Sequence, residues 1–293
     1  MNERCAPKVL RNAVLGLALA ACAAPAGAAD GVERKLVERG PARIEILAQG
    51  SGPTVVLLPS LARGAEDFAR VAPLVAAAGF RVVRPEPRGI GRSQGPMEGL
   101  TLYDLAEDVA AAVEADAVAA APGPVVVAGH AFGNWVARAL SAKRPEMVRA
   151  VALLAASVGT EIDPGIRSSI DGSFDPALAE EERLHHLRRG YFAAGNDARV
   201  WLAGWHPAVA RMQRAATAAT RDRSWQRVAD RVPVLYVAAG EDTIAPPPTL
   251  ERLRRELGER VSMVDVPRAG HALLPEQPEA TAEALVRFAK ALP

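Results

Sequence analysis

The chain has 293 residues, 49% of them hydrophobic, and its 35 lysines and arginines almost balance its 34 aspartates and glutamates. A chain of this length and apolar content can bury one large core. Because the net charge is near zero and no basic cluster carries aromatic residues, the composition excludes the electrostatic pattern of a nucleic-acid-binding protein and favours a small-molecule partner.

Residues 1–29 have the order of charge and hydropathy that is typical of an export signal. Three basic residues precede an apolar stretch at residues 13–21, and small residues follow it. The apolar stretch is too short to anchor the chain across a bilayer. We therefore expect an exported, periplasmic protein whose fold begins near residue 30.

The end of this signal allows two processing outcomes, which we weigh equally. The sequence Leu-Ala-Ala-Cys that ends at Cys22 resembles a bacterial lipobox. Lipidation of Cys22 would then be the only membrane attachment. Ordinary cleavage near residues 26–29 would instead release a soluble protein. Because the second cysteine, Cys5, also lies in the signal, no disulfide is expected in the mature domain.

Two alternating segments open the mature chain. Residues 32–37 and 42–47 alternate apolar and polar side chains, with Gly40 and Pro41 between them. This pattern predicts two exposed edge strands joined by a turn.

From residue 54 onward, short apolar strands alternate with amphipathic helices. The predicted strands are residues 54–58, 80–84, 124–128, 150–155, 232–238 and 261–266, and the predicted helices are residues 65–78, 101–120, 131–143, 247–257 and 278–292. Apolar strands separated by crossover helices predict an α/β fold with a mostly parallel central sheet and helices on both faces.

The third predicted buried strand runs directly into a sharp turn between Gly129 and Gly133. A β-branched apolar run that ends in Gly-x-x-x-Gly before a helix predicts a strand, a tight turn and a helix. The central residue, Ala131, is expected on a strained backbone above the sheet edge. Its methyl group cannot attack a carbonyl, and the preceding His130 is given no catalytic role.

Together with five other segments, this turn resembles the α/β-hydrolase superfamily of esterases and lipases. The segments occur in family order at residues 55–58, 79–85, 88–93, 129–133, 240–246 and 270–271. The resemblance implies that the nucleophile, the acid and the histidine follow one another in that order along the chain. The family's turn carries a nucleophilic serine where this chain has Ala131.

Residues 157–231 interrupt the alternation of strands and helices. This segment is polar and helical, and it lies where the superfamily inserts a cap over the active site. We therefore predict a helical cap at residues 157–231 and an α/β-hydrolase core at residues 30–156 and 232–293. The aromatic residues of the predicted cap indicate an apolar ceiling over the pocket. Packing of the cap onto the core is the simpler role for any one of them. These residues are Tyr191, Phe192, Trp201, Trp205 and Trp225.

The resemblance assigns the acid to Asp242 and the base to His271. Each follows a predicted strand, at the sheet edge where open parallel sheets bind ligands. A buried carboxylate that accepts one imidazole N–H would leave the other nitrogen free to remove a proton. Only one residue separates Gly240 from Asp242, where many relatives have two, so Glu241 is a minor alternative for the acid.

The loop after the first buried strand also departs from the family. Relatives usually carry His-Gly there, whereas this chain has Pro59, Ser60 and Leu61. If the loop keeps its path, the backbone N–H groups of Leu61 and Phe132 form the oxyanion hole. Ser60 is a candidate substitute nucleophile, although a hydrogen bond within its own loop is the simpler role. Two departures beside one pocket favour natural divergence over a single engineered substitution at Ala131.

These residues predict a hydrolase of a small ester, lactone or carbonyl substrate that uses His271 and Asp242 without a covalent serine intermediate. One alternative is acyl transfer through Ser60. The other is a catalytically inactive protein that binds or senses a ligand in the same pocket. We predict no cofactor and no metal site.

Overall fold

A single mixed sheet forms the centre of the molecule. The computed structural model describes residue 1 and residues 31–117, 121, 123–159 and 161–293. Apart from Met1, the predicted export signal with Cys22 lies outside the described residues. Within the described ranges the sheet has eight strands: β1 (Glu33–Arg39), β2 (Ala42–Gln49), β3 (Thr54–Leu58), β4 (Arg81–Pro85), β5 (Val125–His130), β6 (Val148–Leu154), β7 (Val234–Ala239) and β8 (Val261–Val266).

The order of the strands establishes the fold class. Across the sheet they follow the order β1-β2-β4-β3-β5-β6-β7-β8. The pairs β1–β2 and β2–β4 are antiparallel, and the other five neighbouring pairs are parallel. The predicted α/β fold with a mostly parallel sheet is therefore confirmed.

The prediction of two exposed edge strands is wrong for β2. Of these two strands, only β1 lies at an edge of the sheet, because β2 pairs with β1 on one side and with β4 on the other. Every residue of β2 except Arg43 is buried. Its Ile46 packs among core residues such as Val56 and Val83. The alternation of apolar and polar residues in β2 does not reveal its second pairing partner, β4, which comes later in the chain.

Helices cover both faces of the sheet. Within the described ranges they are α1 (Val71–Ala77), α2 (Leu102–Asp116), α3 (Gly133–Lys143), α4 (Pro164–Gly172), α5 (Glu180–Gly190), α6 (Pro207–Ala219), α7 (Leu250–Leu257), α8 (Leu273–Glu276) and α9 (Pro278–Ala291), with short 3-10 helices at Ala65–Phe68, Ala198–Trp201 and Val228–Asp230. None of these helices is both long enough and apolar enough to cross a membrane.

The starts of two predicted helices are corrected by local chemistry. The helix predicted at residues 65–78 is split into the 3-10 helix Ala65–Phe68 and α1. Proline lacks an N–H and is tolerated in a first turn, so a helix that contains Pro73 begins at Val71. The helix predicted from residue 247 begins at Leu250, because the side chain of Thr249 caps it by accepting the N–H of Arg252.

The two faces of the sheet carry separate apolar clusters. On one face, β-strand side chains pack against α2, α3 and α7, through residues such as Leu105, Val136 and Leu253. On the other face they pack against α1, α8 and α9, through residues such as Val75 and Leu285. Burial of these faces is the main favourable contribution to the folded state.

The predicted cap, called the cap segment below (residues 157–231), contains α4, α5, α6 and two 3-10 helices. Its apolar residues, including Ile170, Leu187 and Trp201, form a third cluster with Ala62 and Ala272. Ala62 follows β3 and Ala272 follows β8. The cap segment therefore packs on the loops at the carboxyl ends of the parallel strands.

The turn between β5 and α3 brings backbone unusually close to backbone. A Cβ atom on Gly129 would overlap the backbone of Gly133. A Cβ atom on Gly133 would lie 2.7 Å from the carbonyl oxygen of Pro59 and would overlap the carbonyl of Leu58. Gly129 therefore allows the turn to close on itself, and Gly133 allows it to contact the loop after β3. This second contact positions the site.

We predict that Gly133→Ala lowers the free energy of unfolding by ~1–3 kcal/mol, because the added methyl group forces this backbone contact apart. Urea unfolding followed by circular dichroism measures the change. The matched control is Gly31→Ala, since nothing lies within 4 Å of a Cβ atom at Gly31. Equal stability of the two variants would contradict the prediction.

Candidate active site

Ala131 occupies the strained position of the turn. Its φ is +45°, in the left-handed region that alanine rarely adopts. The Ala131 N–H donates to the carbonyl of Leu154 on β6 at 3.0 Å, and the carbonyl of Ala131 accepts the N–H of Asn134 at 3.1 Å. The backbone is thus held in the conformation that the sequence predicts, and it carries a methyl group where the family's turn carries a hydroxyl.

Asp242 and His271 form a buried pair at the carboxyl ends of β7 and β8. Asp242 Oδ2 lies 2.9 Å from His271 Nδ1, and each residue is 4% exposed. Asp242 Oδ1 accepts the backbone N–H groups of Ile244 and Ala245, both at 2.8 Å. Because the carboxylate is occupied as an acceptor, Nδ1 carries the proton and Nε2 is left as the basic nitrogen.

Glu241, the alternative acid, points elsewhere. Its side chain is exposed and forms no hydrogen bond or ion pair with any residue that the structure describes. Its backbone N–H donates to the carbonyl of Ala269 at 2.8 Å, which fixes the local path of the loop. The geometry therefore joins His271 to Asp242 and not to Glu241.

The loop that carries His271 is held from two sides. The Glu276 carboxylate accepts the N–H of Gly270 at 2.7 Å and the N–H of Ala193 at 2.8 Å. Burial raises the pKa of Glu276, while these hydrogen bonds oppose the rise. The Ala272 N–H donates to the carbonyl of Tyr191 at 2.8 Å. Glu276 thus connects the loop of the candidate base to the cap segment.

His130 lies directly behind His271. It is fully buried, and its Nε2–H donates to the carbonyl of His271 at 2.7 Å. The two rings lie 5.5 Å apart. Burial, with a smaller contribution from the neighbouring His271, lowers the pKa of His130 to about 3. His130 is therefore a neutral residue that supports the loop of His271.

Two backbone N–H groups remain available beside Ala131. Within the described ranges, neither the Leu61 N–H nor the Phe132 N–H donates to an acceptor. Both residues line the same cavity as Ala131 and His271. Unused donors that line a cavity are suited to binding an oxyanion.

The loop that carries Leu61 is fixed by the cap segment. The Ala62 N–H donates to Gln213 Oε1 of α6 at 2.8 Å. The Ala62 carbonyl accepts the N–H of His206 at 2.9 Å. Ala62 has a φ of +60°, and the buried Gln213 is 2% exposed. Gln213 could not be predicted as a site residue from the sequence, because nothing local to α6 indicates a partner more than a hundred residues earlier.

Ser60 is buried and lines the cavity. Its hydroxyl forms no hydrogen bond to His271 or to any other residue in the part of the chain that the structure describes. The structure therefore brings Ser60 to the cavity but does not pair it with the base. A hydrogen bond within its own loop, the simpler role considered for it, is also not formed.

Five of the predicted site residues converge on one cavity of about 490 Å³. From the core it is lined by Ser60, Leu61, Ala131, Phe132 and His271, and from the cap segment by Ile162, Ile170 and Tyr191. Such a volume suits a small organic molecule. Among the described residues, no group of three or more histidine, cysteine or acidic side chains is placed to hold a metal ion.

The predicted aromatic ceiling holds only for Tyr191. Trp201 and Trp205 do not line the cavity, because their rings enclose the Arg63 guanidinium at 4.6 and 4.7 Å. Arg63 is also paired with the buried Asp67 at 2.6 Å. These contacts attach the cap segment to the core by cation–π interactions. The tryptophan that lines the cavity is Trp135, which comes from α3.

Comparisons with known proteins extend over most of the chain. Residues 55–284 match the sequence profile of the Alpha/beta hydrolase family. A Mycobacterium tuberculosis protein provisionally named non-heme bromoperoxidase BpoC is 25% identical over 236 residues, which are 74% of this chain and 85% of that protein. The 2-hydroxymuconate semialdehyde hydrolase of Pseudomonas putida is 32% identical over 162 residues, which are 54% of this chain and 52% of that enzyme. The crystal structure of Cfl2 from Burkholderia cenocepacia is 26% identical with a TM-score of 0.69, and the match covers 87% of this chain and 95% of that chain.

We predict that His130→Gln reduces the loss of the free energy of unfolding as the pH falls below about 6.5. The unfolded chain binds a proton at His130 below a pH of about 6.5, whereas the folded protein does so only near its pKa of about 3. Between these pH values His130 therefore lowers the free energy of unfolding as the pH falls, by about 1.4 kcal/mol per pH unit. Removing it should reduce the loss between pH 6.5 and pH 5 by about 2 kcal/mol.

Urea unfolding at a series of pH values measures this effect. The matched control is His185→Gln, which removes an exposed histidine of α5. A His130→Gln protein with the acid dependence of the wild type would contradict the buried, neutral state of His130.

Proposed function

The chain belongs to the Alpha/beta hydrolase family, and we propose that it is an exported hydrolase of a small ester, lactone or carbonyl substrate that works without a nucleophilic serine. One observation carries the proposal: His271, oriented by Asp242, opens on the same cavity as Ala131 and two unused backbone N–H groups. The relative from Pseudomonas putida is a hydrolase by name, which supports hydrolysis as the reaction class.

In the proposed first step, water takes the place of the serine hydroxyl. The Ala131 methyl group leaves room beside His271 for a water molecule, whose proton passes to His271 Nε2 as its oxygen attacks the substrate carbonyl. Asp242 stabilises the imidazolium that forms. The N–H groups of Leu61 and Phe132 donate hydrogen bonds to the carbonyl oxygen, on which negative charge develops.

In the second step, the tetrahedral adduct collapses. The bond between the carbonyl carbon and the leaving oxygen breaks, and that oxygen takes the proton from His271 Nε2. The products of an ester are an acid and an alcohol, and a lactone gives one hydroxy acid. His271 returns to its neutral form without any covalent bond between substrate and protein.

A second candidate function follows from Ala131 itself. A protein that keeps the pocket and lacks the nucleophile can bind or sense a ligand without turning it over. We favour the enzyme because a binding protein has no need for a histidine held by a buried carboxylate at 2.9 Å. Ligand binding without turnover across a broad panel of substrates would establish the binding protein instead.

A third version keeps covalent catalysis and assigns the nucleophile to Ser60. Its support is that the buried Ser60 lines the cavity. Its weakness is that no hydrogen bond joins Ser60 to His271. Incubation with an activated phosphonate followed by peptide mass spectrometry tests this version directly, and a protein without an adduct on Ser60 would eliminate it.

Export is part of the proposal and rests on residues 1–29 of the sequence. The order of basic, apolar and small residues supports a periplasmic location. Lipidation at Cys22 and release after residues 26–29 are the two forms that we propose for the mature chain. The lipid at Cys22 would be its membrane anchor.

We predict that His271→Ala lowers the turnover of the preferred substrate by ~10²–10⁴-fold, the usual contribution of a general base. Hydrolysis of 4-nitrophenyl acetate, 4-nitrophenyl butyrate and γ-butyrolactone gives the first measurement. The control variant is His185→Gln, which changes an exposed histidine away from the cavity. Turnover by His271→Ala at the wild-type rate would remove the proposed base from the mechanism.

We also predict that Ala131→Ser gives the protein covalent esterase activity. The introduced hydroxyl would lie on the strained turn beside His271. The hydroxyl, His271 and Asp242 would then be aligned as a catalytic triad. A burst of 4-nitrophenol and an acylated protein in mass spectrometry would show this. A folded variant without any gain would contradict the assignment of His271 and Asp242.

A further inference from the structure

A buried arginine without a counter-ion lies behind the active-site cavity. Arg138 of α3 is 4% exposed, its Nε has no hydrogen-bond partner, and it forms no ion pair with a carboxylate of the described ranges. Its guanidinium carbon lies 4.6 Å from the centre of the Trp225 ring. With the residues that the structure describes, its side chain forms one hydrogen bond, a long one of 3.4 Å to the Gln226 carbonyl. Buried charges are normally paired with an opposite charge, and this guanidinium has no such partner in the described ranges.

Arg138 lines a second cavity that adjoins the first. This cavity has a volume of about 550 Å³ and is lined by Trp225 and Arg223 among others. Trp135, Thr217 and Arg223 line both cavities. These shared residues therefore form the boundary past which a ligand held beside His271 would continue toward Arg138.

The charges of the second cavity favour an anion. Its lining contains four arginines, which are Arg138, Arg223, Arg227 and Arg255, and two glutamates, which are Glu161 and Glu256. Arg227 is paired with Asp230, and Arg255 lies 3.7 Å from Glu256. Arg223 has no such partner among the described residues, and its side chain is exposed at the junction of the two cavities.

We propose that the two cavities bind one elongated substrate, whose reacting carbonyl lies at His271 and whose far end carries a carboxylate bound by Arg223 and Arg138. A guanidinium group matches a carboxylate through two parallel N–H···O hydrogen bonds. The inference rests on the proposed function for the placement of the reacting carbonyl. The substrate class is then an ester or a lactone with a remote carboxylate.

Binding to the His271→Ala protein tests this proposal without the need for turnover. The probes are the monomethyl esters of glutaric, adipic and suberic acid, each compared with its dimethyl ester, so that each pair differs by one carboxylate. Tryptophan fluorescence reports binding, because Trp135 and Trp225 line the second cavity. We expect the monoanion of at least one chain length to bind about tenfold more tightly than its diester, which corresponds to about 1.4 kcal/mol.

Two variants of neighbouring arginines locate the effect. Arg223→Gln should abolish the preference for the monoanion, whereas Arg221→Gln should retain it, because the exposed Arg221 lines neither cavity. Equal binding of monoanion and diester at every chain length would overturn the proposal. An equal effect of the two variants would also overturn it.

A third variant tests Arg138. Arg138→Met keeps most of the packing against Trp225 and removes a charge without a counter-ion, so the folded protein should lose the monoanion preference and keep its resistance to urea. A folded Arg138→Met protein with an intact preference would overturn the role of Arg138. Failure of hydrolysis alone would overturn only the proposed function, because these measurements depend on binding.

Discussion

The hydrogen bond between His271 and Asp242 is the interaction on which the candidate site depends. It joins the loops after β7 and β8, which are neighbours because their strands are parallel and adjacent. With both oxygens of Asp242 engaged, the histidine ring has one orientation and one free nitrogen. The direction in which that nitrogen faces decides whether the cavity is catalytic or only a binding site.

Residues around this pair connect it to the cap segment. His130 supports the backbone of His271 from behind, and Glu276 ties the same loop to Ala193 of the cap segment. Arg63, enclosed by two tryptophans, attaches the cap segment to the loop after β3. The loop of the candidate base and the oxyanion loop are thus both anchored to one layer, so movement of that layer would change both together.

Much of this arrangement could be predicted from the sequence, because parallel strands bring the residues at their carboxyl ends to one edge of the sheet. Ala131, Asp242 and His271 each follow a recognisable strand and share that edge. Long-range contacts are different. Nothing local to β2 indicates its pairing with β4, and nothing in the helical pattern of α3 shows that Arg138 is buried against Trp225. The positions of Trp201 and Trp205 likewise depend on Arg63, whose guanidinium lies between their rings. Arg63 also donates a hydrogen bond to the carbonyl of Ala203, 140 residues later in the chain.

The central claim is that a protein with Ala131 at its turn hydrolyses a substrate through water activated by His271. Single-turnover hydrolysis with excess protein, followed by mass spectrometry of the intact chain at each time point, tests it most directly. We expect product to form while the mass of the protein stays constant. A transient mass increase equal to the acyl group, or binding of the substrate without any product, would contradict it.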